Sequence, residues 1–129
     1  MNTPANLRYA KTDEWVKVDA NIATVGISDY AQDQLSDIVF IEFNREIDDE
    51  INKGDALATI ESVKAAADVN SPISGKVLEV NEGLSDIPET LNDDPYEKAW
   101  LYKIEMSKPD EVNELMDAAA YDKYCEGRH

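Results

Sequence analysis

Glu61-Ser62-Val63-Lys64-Ala65-Ala66-Ala67-Asp68, continued by Val69-Asn70-Ser71-Pro72-Ile73-Ser74-Gly75, is the stretch on which the reading of this chain turns. One lysine stands there among small uncharged residues. Two short β-type runs flank it, Gly54-Asp55-Ala56-Leu57-Ala58-Thr59-Ile60 and Gly75-Lys76-Val77-Leu78-Glu79-Val80. Propensity alone favours a short surface helix here, because the segment is rich in alanine and Glu61 and Lys64 stand three apart on one helical face. The flanks oppose that reading. Ala58, Ile60 and Val69 belong to period-2 or short apolar runs, and Pro72 and Gly75 bring turn chemistry. So short a helix between a strand and a Ser-Pro turn is marginal. Pattern alone leaves helix and hairpin open. In the hairpin, Lys64 sits at the tip with a reachable amine and no charge that needs it, a good place for covalent attachment of a swinging cofactor.

The 129 residues suffice for one domain with one modest core, and a hydrophobic content of 43% predicts a folded chain. No run approaches the roughly 20 apolar residues that span a bilayer. The opening Met1-Asn2-Thr3-Pro4-Ala5-Asn6 lacks the basic region and apolar segment of a signal peptide. These features give the expectation of a protein of the bacterial cytoplasm, or of the mitochondrial matrix if the chain is a mature eukaryotic one. A single cysteine, Cys125, excludes an internal disulfide, fits a reducing compartment, and reads as a small buried filler on a helix. Twelve Lys and Arg face 28 Asp and Glu, a net charge of −16. Such a surface repels phosphate backbones and argues against nucleic-acid binding. It suits basic patches on partner proteins, or solubility alone.

The first half reads as short strands and turns. Trp15–Val18 and Ile22–Val25 alternate around Asp19-Ala20-Asn21 as a hairpin. Ser28 is an N-cap for a helix through Gln34 with Ala31 and Leu35 inward. Ile38–Phe43 is a mostly apolar strand, and Glu46–Lys53 a charged loop. Strands are expected at Ala56–Glu61, Ala66–Asn70, Gly75–Val80 and Trp100–Ile104. A polar loop at Ser85–Asp94 is expected to hold one helical turn. A C-terminal helix is expected over about 109–126, with Pro109, Asp110 and Glu111 in its first turn and Gly127 as its stop. Its apolar stripe would be Val112, Leu115, Met116 and Ala119. A weak echo links Ile51–Leu57 with Pro72–Leu78, each running from a turn glycine into a strand, as two similar facing sheets with Lys64 between them would produce.

From Gly54 to Gly83 the chain resembles the lipoyl-attachment region of the glycine cleavage system H-protein family, with Lys64 in the position of the lipoyl-lysine. The resemblance extends over nearly the whole chain. Gly26-Ile27-Ser28-Asp29-Tyr30-Ala31-Gln32 is similar to the family's Gly-Ile-Thr-x-x-Ala-Gln segment, and Asp37-Ile38-Val39-Phe40 to its Asp-Ile-Val-Phe strand. Asn92-Asp93-Asp94-Pro95-Tyr96 with Trp100-Leu101-Tyr102-Lys103-Ile104 is similar to its late block. The resemblance implies a mainly β hybrid barrel-sandwich of antiparallel sheets with a C-terminal helix, in one lipoyl-carrier domain over 1–129 whose hairpin spans about 54–83. It implies lipoic acid in amide linkage to Lys64. It also implies the role of a carrier without turnover of its own, and a monomer off the membrane. The partners implied are glycine decarboxylase, a tetrahydrofolate-dependent aminomethyltransferase, dihydrolipoyl dehydrogenase and a lipoate-attaching enzyme. The family's protecting cleft uses an acid in a His-Glu-Trp segment and another after the lysine; the matching residues here are Glu14 and Asp68, with Thr12 where a hydroxyl often sits.

Four places depart from the family pattern: Asp13 for histidine, Ser36 for glycine, Asn44-Arg45-Glu46-Ile47 where Pro and Gly are usual, and Ala99 for glycine. A second function keeps the lipoyl arm but serves sulfur oxidation with a heterodisulfide-reductase-like complex. A third, a lipoyl or biotinyl module of a larger complex, fits poorly, since Val63 and Ala65 replace the methionines that usually flank a biotinyl-lysine. Hydrolase or metal chemistry finds no support: the one histidine is His129, and no metal-ligand cluster or nucleophile–base pair stands out.

Overall fold

A computed structural model describes residues 1–128; His129 lies outside the described residues. Two antiparallel sheets carry the fold. The larger has six strands in the order β1-β2-β3-β9-β8-β5. These are Arg8–Tyr9 (β1), Glu14–Asp19 (β2), Ile22–Ile27 (β3), Glu50–Ile51 (β5), Gly75–Val80 (β8) and Tyr102–Met106 (β9). The smaller sheet joins Ile38–Phe43 (β4), Ala56–Ser62 (β6) and Ala66–Asn70 (β7) in the order β4-β6-β7. Both sheets contribute to one apolar core that includes Val25, Ile41, Leu57, Ile60, Val77, Leu101 and Ile104. The two strands of the sequence echo, β6 and β8, fall in different sheets.

Local chemistry accounts for the elements. Asp19 pairs with Ile22, leaving Ala20-Asn21 as a two-residue hairpin loop with Ala20 at φ 55°. Ser28 Oγ accepts the Ala31 N–H at 3.1 Å and caps Asp29–Leu35 (α1), whose Ala31 and Leu35 pack against the core. The polar loop holds one helical turn, Thr90–Asp93 (α2). Gly75 faces β9 so closely that a Cβ there would stand 2.1 Å from the Glu105 carbonyl oxygen.

Three elements differ from the sequence reading. The C-terminal segment is not one helix over 109–126: a 3-10 turn at Pro109–Glu114 is followed by extended chain, then Ala118–Glu126 (α3). The break has a partner and a cap. Tyr9 and Met116 exchange backbone hydrogen bonds at 2.8 and 2.9 Å, and Asp117 Oδ1 accepts the Ala120 N–H at 2.8 Å. The core-facing residues of α3 are therefore Tyr121 and Cys125, packed with Leu7, Tyr9, Trp15 and Tyr30, while Ala119 is exposed. The last strand begins at Tyr102 rather than Trp100 and runs to Met106, because its pairings with Ile22 and Gly75 lie at Glu105 and Met106. The charged loop at 46–53 contains β5, held against β8 through Ile51 and Gly75.

Candidate functional site

The residues around Lys64 form a hairpin and not a helix. Strands β6 and β7 pair from Ala56↔Asn70 to Glu61↔Ala66, and the chain turns through Ser62–Ala65. Ser62 makes the turn: its N–H donates to the Ala65 carbonyl at 2.8 Å, and its hydroxyl accepts the N–H groups of Lys64 and Ala65 at 3.3 and 3.0 Å. The Val63 N–H donates to the Asp37 carbonyl at 3.0 Å and ties the tip to the start of β4. Lys64 is exposed, and among the described residues its ammonium makes neither a hydrogen bond nor an ion pair.

Below the tip lies a cleft of about 310 Å³, bounded by Thr12, Asp13 and Glu14, by Ile27 and α1, by Ile60, by Ala67–Val69 of the hairpin, and by Arg128. Glu14 is its buried acid, with only 1% of its surface exposed. It accepts hydrogen bonds from the Thr12 hydroxyl and, at 3.1 Å, from the Asn70 N–H. Burial drives its carboxyl up to about 7, helped by the charge of Asp13 and opposed by the Thr12 and Asn70 hydrogen bonds. Near neutral pH this group either accepts or donates a proton within a shielded hollow. A larger hollow of about 400 Å³ shares Thr12 with this cleft but not the Glu14 carboxyl; Tyr9, Lys53 and Leu115 line it.

Thr12, Glu14 and Asp68 thus border one cleft, but they contribute differently. Side chains alternate across a strand, and Ala67 and Val69 are the ones turned inward from β7. Asp68 is exposed at the rim, where its carboxylate accepts from the Thr59 hydroxyl at 3.2 Å on the outer face of the small sheet.

Several contributors carry no mark in the sequence. Asn70 acts through its backbone N–H. Arg128 reaches the cleft from the end of the chain; it grips the Asp13 carboxylate with both guanidinium nitrogens, the Nη2–Oδ2 contact being 2.9 Å, and lies over the Tyr30 ring at 4.4 Å. Tyr121 donates to the same carboxylate at 2.8 Å, and its hydroxyl lies 2.6 Å from that of Ser28. Asp13, one of the four departures, is therefore the anchor that fixes α3 and the chain end beside Glu14. It holds φ 79°, with its N–H donating to the Ala10 carbonyl at 3.0 Å and its carbonyl accepting from the Ser28 N–H at 2.9 Å. Ser36, another departure, ends α1 at φ 68° and ψ −147°, a conformation that explains why glycine is usual there.

Comparison with known proteins gives this arrangement its relatives. The family described as "Glycine cleavage H-protein" matches residues 7–128. The glycine cleavage system H protein of Staphylococcus saprophyticus is 52% identical over 121 residues, 94% of this chain and 95% of that one. The protein of the same name from Staphylococcus epidermidis is 51% identical over the same shares of both chains. Among solved structures, a glycine cleavage system H protein from Mycobacterium marinum superposes with a TM-score of 0.84 at 31% identity, covering 93% of this chain and 96% of that one. Full-length likeness of sequence and of fold agree, and the chain belongs to the glycine cleavage H-protein family.

Proposed function

We propose that this chain is the lipoyl carrier of glycine cleavage, with Lys64 as the attachment residue and the Glu14 cleft as the resting place of its arm. The observation that carries the reading is the pairing of an unengaged lysine at a hairpin tip with a shielded acid below the same hairpin. The tip fits the group: the Lys64 ammonium has no structural task, so acylation removes a charge that nothing in the fold needs. When bound, the lipoyl dithiolane supplies the sulfur redox chemistry that takes up and releases an aminomethyl unit.

The chain's own residues then have separable tasks. Ser62 fixes the tip and presents Lys64 outward. Ile27, Ala31, Leu35 and Ile60 provide an apolar wall that keeps water from a guest in the cleft. Glu14 accepts hydrogen bonds from a protonated amine, and such a cation pulls the Glu14 carboxyl back toward its ionised form. Thr12 orients that carboxyl. Asp68 marks the rim of the cleft, with its carboxylate directed to Thr59 on the outer face of the sheet. Tethering raises the concentration of the arm at each docked active site.

The partners in this reading are glycine decarboxylase, the aminomethyltransferase, dihydrolipoyl dehydrogenase and a lipoate-attaching enzyme, with residues 1–129 acting as one carrier unit that performs no turnover itself. The bacterial source of the relatives supports a bacterial cytoplasmic setting, and no helix among the described residues is long and apolar enough to cross a membrane. The sulfur-oxidation alternative is not favoured, since these relatives are named for glycine cleavage. The test is the intact mass of the lipoylated protein after incubation with glycine and glycine decarboxylase. An aminomethyl-sized gain supports the reading, and a lipoylated protein that gains nothing overturns it.

A further inference from the structure

The small sheet presents an uncovered outer face. Alternation places Phe40 and Glu42 of β4, Thr59 and Glu61 of β6, and Ala66 and Asp68 of β7 on the side away from Ile41 and Ile60, as the pairs Phe40↔Glu61↔Ala66 and Glu42↔Thr59↔Asp68 require. Phe40 is 44% exposed there. Two further apolar side chains are exposed nearer the tip. Val39 is the extra residue of a β-bulge between Ile38 and Phe40 and is 55% exposed; Val63, beside Lys64, is 67% exposed. The bulge breaks the alternation of β4, so that two consecutive apolar residues face solvent where a regular strand exposes one. Three large apolar side chains at one end of one small sheet are more than scattered surface residues. Around them stand the carboxylates of Asp37, Glu42, Glu61 and Asp68, all exposed.

We propose that this face is the docking surface for the enzyme that acylates Lys64, and that the enzyme meets it with an apolar socket edged by Lys and Arg. The inference rests on the lipoyl-carrier reading. Geometry selects this partner over the others. Acylation needs the Lys64 amine itself in the partner's active site, so the partner must approach the tip to within one side-chain length. Val63, Val39 and Phe40 are the groups it meets. Enzymes that work on the finished arm stand off by the length of that arm. Charge complementarity selects the rim: four carboxylates around an apolar centre favour a basic collar and speed encounter. The Glu14 cleft opens on the other side of the same hairpin, toward Ala67 and Val69, so a partner gripping the outer face leaves the cleft unobstructed.

The test measures lipoylation of the full-length apo protein by a purified lipoate-attaching enzyme active on the wild type. Compared with it are Phe40→Ser with Val63→Ser, Glu42→Lys alone, and Val18→Ser, which removes an exposed apolar residue from β2 in the other sheet. Thermal midpoints establish that each variant is folded. The proposal expects kcat/KM to fall by about tenfold or more in the double variant, through KM, as for loss of two central apolar anchors. Glu42→Lys loses rate at low salt and recovers part of the difference at high salt, and Val18→Ser matches wild type. Full-rate lipoylation of both outer-face variants overturns the proposal, and Glu42→Lys decides it alone if the double variant does not fold. A wild-type chain that no such enzyme lipoylates is a different failure, that of the carrier reading itself.

Discussion

Replacing Glu14 by Gln tests the electrostatics of the cleft without changing its shape. The carboxyl lies at about 7 in the folded chain against an ordinary value of 4.5, chiefly because it is buried. The folded state thus holds this proton more tightly than the unfolded state. Between those two values the unfolded chain releases a proton that the folded chain keeps, so stability falls as pH rises through the window and levels off above it. Integrating from pH 5 to pH 8 gives a loss of about 2.5 kcal/mol from this one group. A glutamine side chain still accepts the Asn70 N–H and donates to the Thr12 hydroxyl, so the variant keeps the local hydrogen bonds and loses only the titration. The assay is urea unfolding of wild type and Glu14→Gln at both pH values, with the slopes checked for equality. Other carboxylates titrate in both proteins and cancel in the difference. The variant should gain on wild type by about 2.5 kcal/mol between pH 5 and pH 8. A difference that stays flat with pH would refute the claim that Glu14 is buried and reluctant to ionise.

Other substitutions probe the frame. Ser36→Gly should raise stability by about 1 kcal/mol, since Ser36 holds φ 68° and, among the described residues, its side chain makes no hydrogen bond; equal or lower stability in chemical denaturation would refute the strain. Gly75→Ala should cost about 2 kcal/mol or more, because its Cβ would stand 2.1 Å from the Glu105 carbonyl oxygen, and an unchanged thermal midpoint would contradict the close approach of β8 and β9. Arg128→Ala should lower stability by about 1 kcal/mol by releasing Asp13 and the rings of Tyr30 and Tyr124, with faster amide exchange confined to the end of α3 and the 10–14 turn. Lys64→Ala should leave stability within about 0.5 kcal/mol of wild type.

The fold was legible where periodicity and capping act locally. The hairpin at Ala20-Asn21, the Ser28 cap and the strands Ile38–Phe43 and Gly75–Val80 all follow from side chains that announce their own backbone. The C-terminal region was not legible for the opposite reason. Asp117 reads as an ordinary residue in an alanine-rich helix until Met116 is seen paired with Tyr9, a partner more than a hundred residues away. The residues at 61–68 were ambiguous on propensity. Their strand pairing comes from neighbours on β4 and β6, and the Ser62 turn closes it. For the site, Glu14 and Thr12 came from motif resemblance, whereas Asn70 acts through a backbone group and Arg128 through position alone, and neither leaves a pattern to read. Asp68 was expected as a cleft acid; it lines the rim of the cleft, and the register of β7 directs its carboxylate to Thr59 on the outer face.

In the proposed function Lys64 is the lysine that carries the arm. The most direct measurement is peptide mapping by mass spectrometry of the protein lipoylated in a host with an intact lipoylation pathway, alongside Lys64→Ala. A lipoyl mass is expected on the peptide containing Lys64 and on no other, together with an unmodified, folded Lys64→Ala protein. A lipoyl group on another lysine, or retained in folded Lys64→Ala, would contradict it.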